Sequence, residues 1–403
     1  MFFILAYIAQ NFVFGIILPY LPILLRNLNY SAAVVGVLLA IAEGAGILGP
    51  LLLGRLADRG GKYKRYIILT YVLTAAAALP ITFFVHPVFT ALMAALLAIG
   101  FRSTQPLVDA MTTVNLGEKG NYGKIRVAGS IGYVCFMFFM QWIPVMRPNS
   151  PGNIIFWICV TAVFGLIVTI PIPSKYGHRT LQPEGNTVRT ADHGANDSHI
   201  NREKPKNKSI WTPFFVLGLV SIALNRLAMT PVNYFFSLFL VEYMHWDAVG
   251  LMTGLSALAE IPLLFFSNRI IRRYGAMPII AFTSVMVAVR LGIYALFPFK
   301  AGIIIAQLLH CFCFGLFHPA AVAFISSCVP PEQRSFGMTL YISVGWGIPA
   351  LVGNFISGFI VDYAGYRSLF VSFTAFAILG VLIYVVYRFR ETLKMRPKLS
   401  DGR

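Results

Sequence analysis

Asp109 and Arg126 stand seventeen positions apart, each set at the edge of a long apolar run. An ionised side chain at bilayer depth costs about 2.5 to 3.5 kcal/mol even on lenient insertion scales, so it persists only where it finds a partner or a watery cavity. Glu43, Arg102, Arg226, Glu260, Arg290 and His310 interrupt other apolar stretches in the same way. Their chemistry is that of binding and proton carriage. A guanidinium presents a planar fork of donors that suits a carboxylate or a pair of hydroxyls. A carboxyl in an apolar cavity, beside a cation that can leave it, gains or loses its proton as the surroundings change. An imidazole titrates near about 6.5 without help.

Spacing suggests who meets whom. Gly117, Gly120 and Asn121 supply a turn between Asp109 and Arg126, so an antiparallel helical hairpin brings the two level, to pair or to clasp a ligand together. Glu260 and Arg290 fall on consecutive antiparallel helices at similar depth. They either neutralise each other or leave Glu260 free to carry a proton, with His310 as the competing carrier. Arg226 follows Asn225 and precedes Thr230, Asn233 and Tyr234, a polar stripe expected of a cavity-lining helix. For Arg226 and for Glu43, pathway-lining and structural readings both stand. His318, beside Pro319 and about 80° around the helix from His310, reads as a structural hydrogen-bonding residue. The deep charges comprise four arginines and two histidines against three acids, so the cavity leans positive and an anionic substrate fits.

The elements that must position these groups are membrane helices. The chain has 403 residues, 58% hydrophobic and 12% charged, with a mean hydropathy of +0.74, which is too apolar for a soluble domain of this size. Runs of about 20 apolar residues, enough to cross roughly 30 Å of hydrocarbon, recur throughout. Twelve are expected, at 2–25, 34–54, 66–85, 88–110, 126–146, 153–172, 211–241, 248–268, 276–297, 301–327, 336–361 and 367–388. The first begins almost at Met1 with neither a basic leader nor a small-residue cleavage site, so it reads as a retained helix.

The net charge of +17 follows topology. When the twelve helices are threaded with both ends on one side, 24 of the 32 Lys and Arg fall on that side. Four lie opposite (Arg26, Arg147, Lys300, Arg367) and four within helices. That bias places both termini in the cytoplasm and argues against a nucleic-acid partner. The five cysteines sit in or beside helices, so no disulfide is expected, and Cys311 and Cys313 point to different faces and make no metal site. With no nucleotide loop and no nucleophile beside a placed base, the chain does not read as an enzyme, and no cofactor is implied.

The long polar stretch near Pro173 to Ser209 divides the helices six and six. The expected organisation is an N-terminal bundle over 1–172, a cytoplasmic linker over 173–210, a C-terminal bundle over 211–390 and a tail over 391–403. A repeat supports it: Gly54-Arg55-Leu56-Ala57-Asp58-Arg59-Gly60-Gly61-Lys62 follows helix two, and Asn268-Arg269-Ile270-Ile271-Arg272-Arg273-Tyr274-Gly275 follows helix eight, 214 residues later. Glu43 and Glu260 precede these loops at nearly matching positions, as a duplicated unit requires.

The Gly54 to Lys62 segment resembles the signature loop of the major facilitator superfamily, and Arg102-Ser103-Thr104-Gln105 resembles its helix-four pattern, with Pro106 where glycine is usual. Within the superfamily, Tyr-Gly-x-Ile-Arg at 122–126 followed by Gly-Ser-Ile-Gly-Tyr, Pro106-Leu107-Val108-Asp109-Ala110, and Gln307-Leu308-Leu309-His310 with Phe317-His318 look like the branch holding lactose permease, the phenylpropionate permease and the nucleoside:proton symporters. One departure is Cys313, where lactose permease carries a carboxylate. The resemblance implies an all-α integral membrane protein, with twelve transmembrane helices in two pseudo-symmetric six-helix bundles and alternating access between them. It implies that Arg126 holds the substrate's polar end, Asp109 orients that arginine and Tyr133 offers an aromatic platform. Asn233 and Tyr234 join the substrate site. Glu260, Arg290, His310 and Glu43 are the proton-coupling candidates, and Gly54, Asp58, Arg59 and Arg102 the gating set. Asp58 is expected to hold the start of helix eleven near Phe336 when the cytoplasmic side is shut.

The expected activity is proton-coupled import of a small, possibly aromatic, carboxylate by a monomer in the inner membrane, with the proton as co-substrate and the lipid bilayer as its solvent. A sugar or nucleoside symporter, a proton-coupled exporter and a non-transporting receptor are the alternatives. The superfamily's antiporter motif, Gly-Pro-x-x-Gly-Gly on helix five, is missing between Arg126 and Met146.

Overall fold

The computed structural model describes residues 2–116, 122–142, 148–173, 210–330 and 333–395. Of the segments expected to be linker, turn and tail, residues 174–209, Gly117, Gly120, Asn121 and residues 396–403 lie outside the described residues. The described residues form helices and short connections, with no strand among them. Hydrocarbon offers no water to backbone N–H and C=O groups, so each crossing must satisfy its own ladder.

In order, the helices are α1 (Phe2–Asn27), α2 (Ala32–Gly60), α3 (Tyr63–Thr82), α4 (Pro87–Leu116), α5 (Tyr122–Trp142), α6 (Pro151–Thr169), α7 (Pro213–Tyr243), α8 (Val249–Tyr274), α9 (Ala276–Leu296) and α10 (Lys300–Cys328). The last apolar stretch, Phe336–Arg390, is 55 residues long, which as one rod would exceed any bilayer at about 1.5 Å per residue. It turns at Gly365, whose φ of 76° and ψ of 178° suit only glycine. Its neighbours along α7 prove the reversal. A side chain at Gly345 would meet Ile222 and one at Gly353 would meet Thr230, Tyr366 bonds Glu242, and then Phe370 packs edge-on against Phe239 and Tyr387 against Phe214. The chain therefore supplies twelve crossings, with α11 at 334–364 and α12 at 366–395.

The repeated signature segments are helix ends rather than loops. Gly54 to Gly60 form the last turns of α2, closed by Gly61 in the left-handed region at φ 58°, and Asn268 to Tyr274 finish α8. Basic residues in both last turns, Arg59 and then Arg272 and Arg273, favour the negative ends of those helices. Several starts are equally local: Ser31, Ser150 and Thr212 cap α2, α6 and α7 through their hydroxyls, and the latter two have proline in the first turn.

Helices α1 to α6 pack among themselves, as do α7 to α12, and the two bundles meet chiefly where α2 faces α11 and α5 faces α8. Under the exchange of halves these are the same pair. At the face opposite the start of α1, the far face, the bundles close. Gly36 lies against α11, where a Cβ would stand 2.5 Å from Asn354 O and 2.9 Å from Gly358 Cα. The Asp362 carboxylate accepts from Ala32 N and Ala33 N, each at 2.8 Å, so the end of α11 caps the start of α2. Arg26 of α1 grips Glu242 of α7 through Nε at 2.6 Å and Nη2 at 3.3 Å, and the Tyr366 hydroxyl donates to the same carboxylate at 2.7 Å. Gln141 of α5 donates to Asp247 O and accepts from Leu251 N.

The near face, where α1 starts, is different. Asp58 and Arg59 are exposed, and Asp58 accepts from the Tyr63 hydroxyl of α3 at 2.7 Å instead of reaching α11. Gly54 faces open space. Among the described residues the polar contacts between bundles lie at mid-depth or toward the far face. The cleft thus opens to the near face, and the gating contact expected of Asp58 is not made in this state.

Candidate functional site

At mid-depth between the bundles lies a cavity of about 310 Å³, at the small end of the range that ligand sites occupy. Seven of the expected residues line it: Arg102, Tyr133, Asn233, Tyr234, Glu260, Arg290 and His310. Glu43 stands just behind, in a small cleft that it shares with Tyr234. Asp109 and Arg126 are not among the lining residues.

That last placement revises the expected clasp. No ion pair joins Asp109 to Arg126 among the described residues. Asp109 instead accepts from the Tyr7 hydroxyl of α1, and Asn11 Nδ2 donates to Tyr7 O at 2.8 Å to hold that turn. Arg126 is exposed, near the start of α5 at the open mouth of the cleft. Helix α4 runs on to Leu116, so Asp109 lies within the helix and presents its carboxylate to Tyr7 of α1.

The expected Glu260–Arg290 pair is also replaced. Arg290, 1% exposed, donates from Nε to the Tyr294 hydroxyl at 3.0 Å, from Nη2 to Gln307 Oε1 at 2.7 Å and from Nη1 to His310 Nδ1 at 2.6 Å. Glu260 stands on the other side of His310, with Oε2 3.9 Å from Nε2. An arginine has no acceptor to offer, so His310 Nδ1 must accept and the imidazole proton resides on Nε2, facing Glu260. While that bond stands His310 is neutral.

Arg102 and Glu43 form an ion pair, both largely buried, with side-chain exposures of 22% and 14%. Arg102 Nη2 also lies 3.4 Å from the Tyr234 hydroxyl of the other bundle. Glu43, expected among the proton carriers, is thus the counter-ion of an arginine expected at the gate. Removing either alone would strand a buried charge at about 3 to 5 kcal/mol.

Arg226 is the residue that the sequence underrates. It is 3% exposed, lines the cavity beside Glu260, and its guanidinium carbon lies 4.1 Å from the Trp346 ring centroid and 5.4 Å from those of Phe314 and Phe317. Its Nη1 is buried without an acceptor. A buried charge without a counter-ion costs several kcal/mol after relaxation, which three rings at up to about 2 kcal/mol each partly offset. Phe314 is itself held in a column, parallel to His310 at 5.6 Å and to His318 at 6.1 Å. His318 bonds the Tyr341 hydroxyl at 2.7 Å.

Four π-helical turns shape this wall: Pro231–Phe235, Phe239–Tyr243, Cys311–Gly315 and Ser343–Gly347. They carry Asn233 and Tyr234, Glu242, Phe314 and Trp346. Each adds a residue to one turn and rotates the remainder of its helix, a device concentrated at functional sites. Trp346 and Tyr7 had no mark in the sequence as site residues beyond an aromatic side chain within an apolar run, Asp362 fell just past the expected end of its helix, and Gln307 was marked only through the motif that ends at His310.

Residues 3–372 match the sequence profile of the MFS_1 like family. The chain belongs to that family. Its members here are transporters by name: an uncharacterized transporter YwbF of Bacillus subtilis is 26% identical over 385 residues, covering 94% of this chain and 89% of that protein. A probable 3-phenylpropionic acid transporter of Escherichia coli is 24% identical over 374 residues, covering 90% and 91%. Among solved structures, a variant of the nucleoside transporter NupG superposes with a TM-score of 0.77 at 16% identity, covering 96% of this chain and 98% of that one. The MFS_1 like chain is accordingly a multi-pass membrane transporter of a small molecule, with the major facilitator fold, and not an enzyme.

Proposed function

We propose that this transporter is a proton-coupled symporter of a small carboxylate. Charge balance in the cavity carries the reading. Arg102 is neutralised by Glu43, while Arg226 and Arg290 face the same space as a single carboxyl, Glu260. With Glu260 ionised the site is one positive charge in excess, and with Glu260 protonated it is two. An anionic substrate arriving with a proton on Glu260 leaves the site's charge unchanged, whereas either one alone shifts it by a full unit, so joint entry adds no net charge to the cavity. The name of the E. coli relative supplies one fitting class, an aromatic monocarboxylate.

In the proposed cycle, Glu260 takes its proton while the site faces the outside, the substrate anion enters, and the bundles rock about the α2–α11 and α5–α8 contacts. Opening to the near face admits water, which solvates the carboxylate and draws the proton off. The excess of Lys and Arg on the near-face segments supports a cytoplasmic near face and inward transport in the inner membrane. The proposed bundles are 1–172 and 211–390, in a monomer with a linker over 173–210 and a tail over 391–403.

The test is uptake into proteoliposomes driven by an imposed pH gradient. Glu260→Gln should abolish uphill accumulation of a carboxylate yet keep exchange of labelled for unlabelled substrate. Preserved accumulation in that variant removes Glu260 from the coupling role, and accumulation of uridine or xylose in preference to every carboxylate removes the substrate class.

A further inference from the structure

Three arginines face the cavity, and two of them are held by acceptors, although Arg102 keeps a buried Nε without one. Arg102 is tied to Glu43 and Tyr234, and Arg290 to Tyr294, His310 and Gln307. Arg226 differs. Among the described residues no acid lies within ion-pair distance of it, its buried Nη1 has no acceptor, and it still borders the cavity. Its partners are the Trp346, Phe314 and Phe317 rings. Ring contacts engage a guanidinium through charge and plane, and leave the N–H edge free to donate. Those rings are themselves fixed: Trp346 stands edge-on to Phe314 at 5.6 Å, and Phe314 is stacked between two histidines. A buried guanidinium locked in orientation with open donors is a preorganised anion receptor.

Resting on the carboxylate reading above, we infer that Arg226, and not Arg126, anchors the carboxylate of a monocarboxylate substrate, whose apolar tail lies against Leu18, Pro19 and Tyr133 of the opposite bundle. One open fork takes one carboxylate, so a second acid group on the ligand has no receptor. The anchor belongs to the C-terminal half and the tail wall to the N-terminal half, so a bound substrate touches both moving parts. That is what a substrate must do to favour the closed state from which the bundles can switch.

The experiment is calorimetric titration of the purified full-length protein with 3-phenylpropanoate, benzoate and butyrate, with 3-phenylpropanamide as the uncharged control and benzylmalonate as the dicarboxylate. For the best of the three acids, wild type should bind at least 30-fold more tightly than it binds the amide, and benzylmalonate should bind no better than 3-phenylpropanoate. Arg226→Lys, which keeps the buried charge but not the fork, should weaken the acid about 10-fold. Arg226→Gln should weaken it at least 30-fold, with amide affinity changed less than threefold, while Arg126→Gln stays within threefold of wild type. Wild-type acid affinity in both Arg226 variants overturns the inference, as does a large loss in Arg126→Gln alone. If Arg226→Gln gives no folded protein, unchanged affinity in Arg226→Lys is enough to overturn it. A wild type that binds none of the three acids but binds uridine or xylose overturns the carboxylate reading, and this inference with it. A wild type that binds acids while the Arg226 variants do too overturns only the inference.

Discussion

Replacing Asp362 by alanine should open the far face. The Asp362 carboxylate accepts two backbone N–H bonds across the bundle interface, from Ala32 and Ala33 at 2.8 Å each, and it sits at the positive end of α2. Hydrogen bonds to a charged group contribute about 1.5 to 3 kcal/mol when shielded. Asp362 is exposed, so water competes and a lower figure applies, about 1 to 2 kcal/mol for the pair with the helix-end contribution included. These contacts exist only while the far face is shut. Their loss should raise the far-open population about 5- to 30-fold. The assay is alkylation of a cysteine at the cavity-lining position 256 (Ser256→Cys in a background without the five natural cysteines) by an impermeant maleimide applied from either side of oriented vesicles. Far-side labelling should accelerate by that factor in Asp362→Ala and by less in Asp362→Asn, which keeps one acceptor oxygen. Asp58→Ala should act oppositely and slow far-side labelling, because Asp58 has no inter-bundle bond to lose here and is expected to make one in the other state. Unchanged far-side labelling in Asp362→Ala would refute the capping argument.

Gly36→Leu should also drive the far face open, since a Cβ there meets Asn354 O at 2.5 Å and the packed state bears an overpacking cost of about 1 to 3 kcal/mol; far-side labelling at the same cysteine that matches wild type counts against it. Glu43→Gln or Arg102→Gln alone should lower the melting temperature by stranding one charge of the buried pair, whereas the double variant should recover most of the loss; additive losses would mean that the two do not interact. Nitrogen NMR of labelled histidine should find the His310 proton on Nε2, because Arg290 occupies Nδ1; a proton on Nδ1 would dismantle the assignment of the carried proton to Glu260.

Much of the frame was legible in the chain. Apolar runs located all twelve crossings, including the two that the structure joins into one helical stretch turning at Gly365, since crossing a bilayer is governed by the transfer cost of each residue along a segment. Glu260 and Arg290 line one cavity, as their depth suggested, and they share it with His310, Tyr133, Asn233, Tyr234 and with Arg102, which was expected at the gate. Depth comes from counting along a helix. Partners do not. Asp109 met Tyr7, 102 residues away in sequence, where the hairpin pointed to Arg126, and Arg290 met His310 where antiparallel neighbours pointed to Glu260.

The order of residues was enough to establish that the chain lives in a bilayer, how many times it crosses, that it is built of two related halves, and which charges must be buried. Each of these is a sum over local contributions: desolvation costs, caps and turn residues that act whatever lies beside them. Folding in three dimensions settled which acid faces which base, that Arg226 is left with rings instead of a counter-ion, and which end of the cleft is shut. Rotation and contact are the cause. Four π-helical turns in α7, α10 and α11 each shift the helical phase by about 100°, so the face that a side chain presents cannot be counted from its number. Ion pairing then depends on ångström-scale distances between helices that lie far apart in the chain.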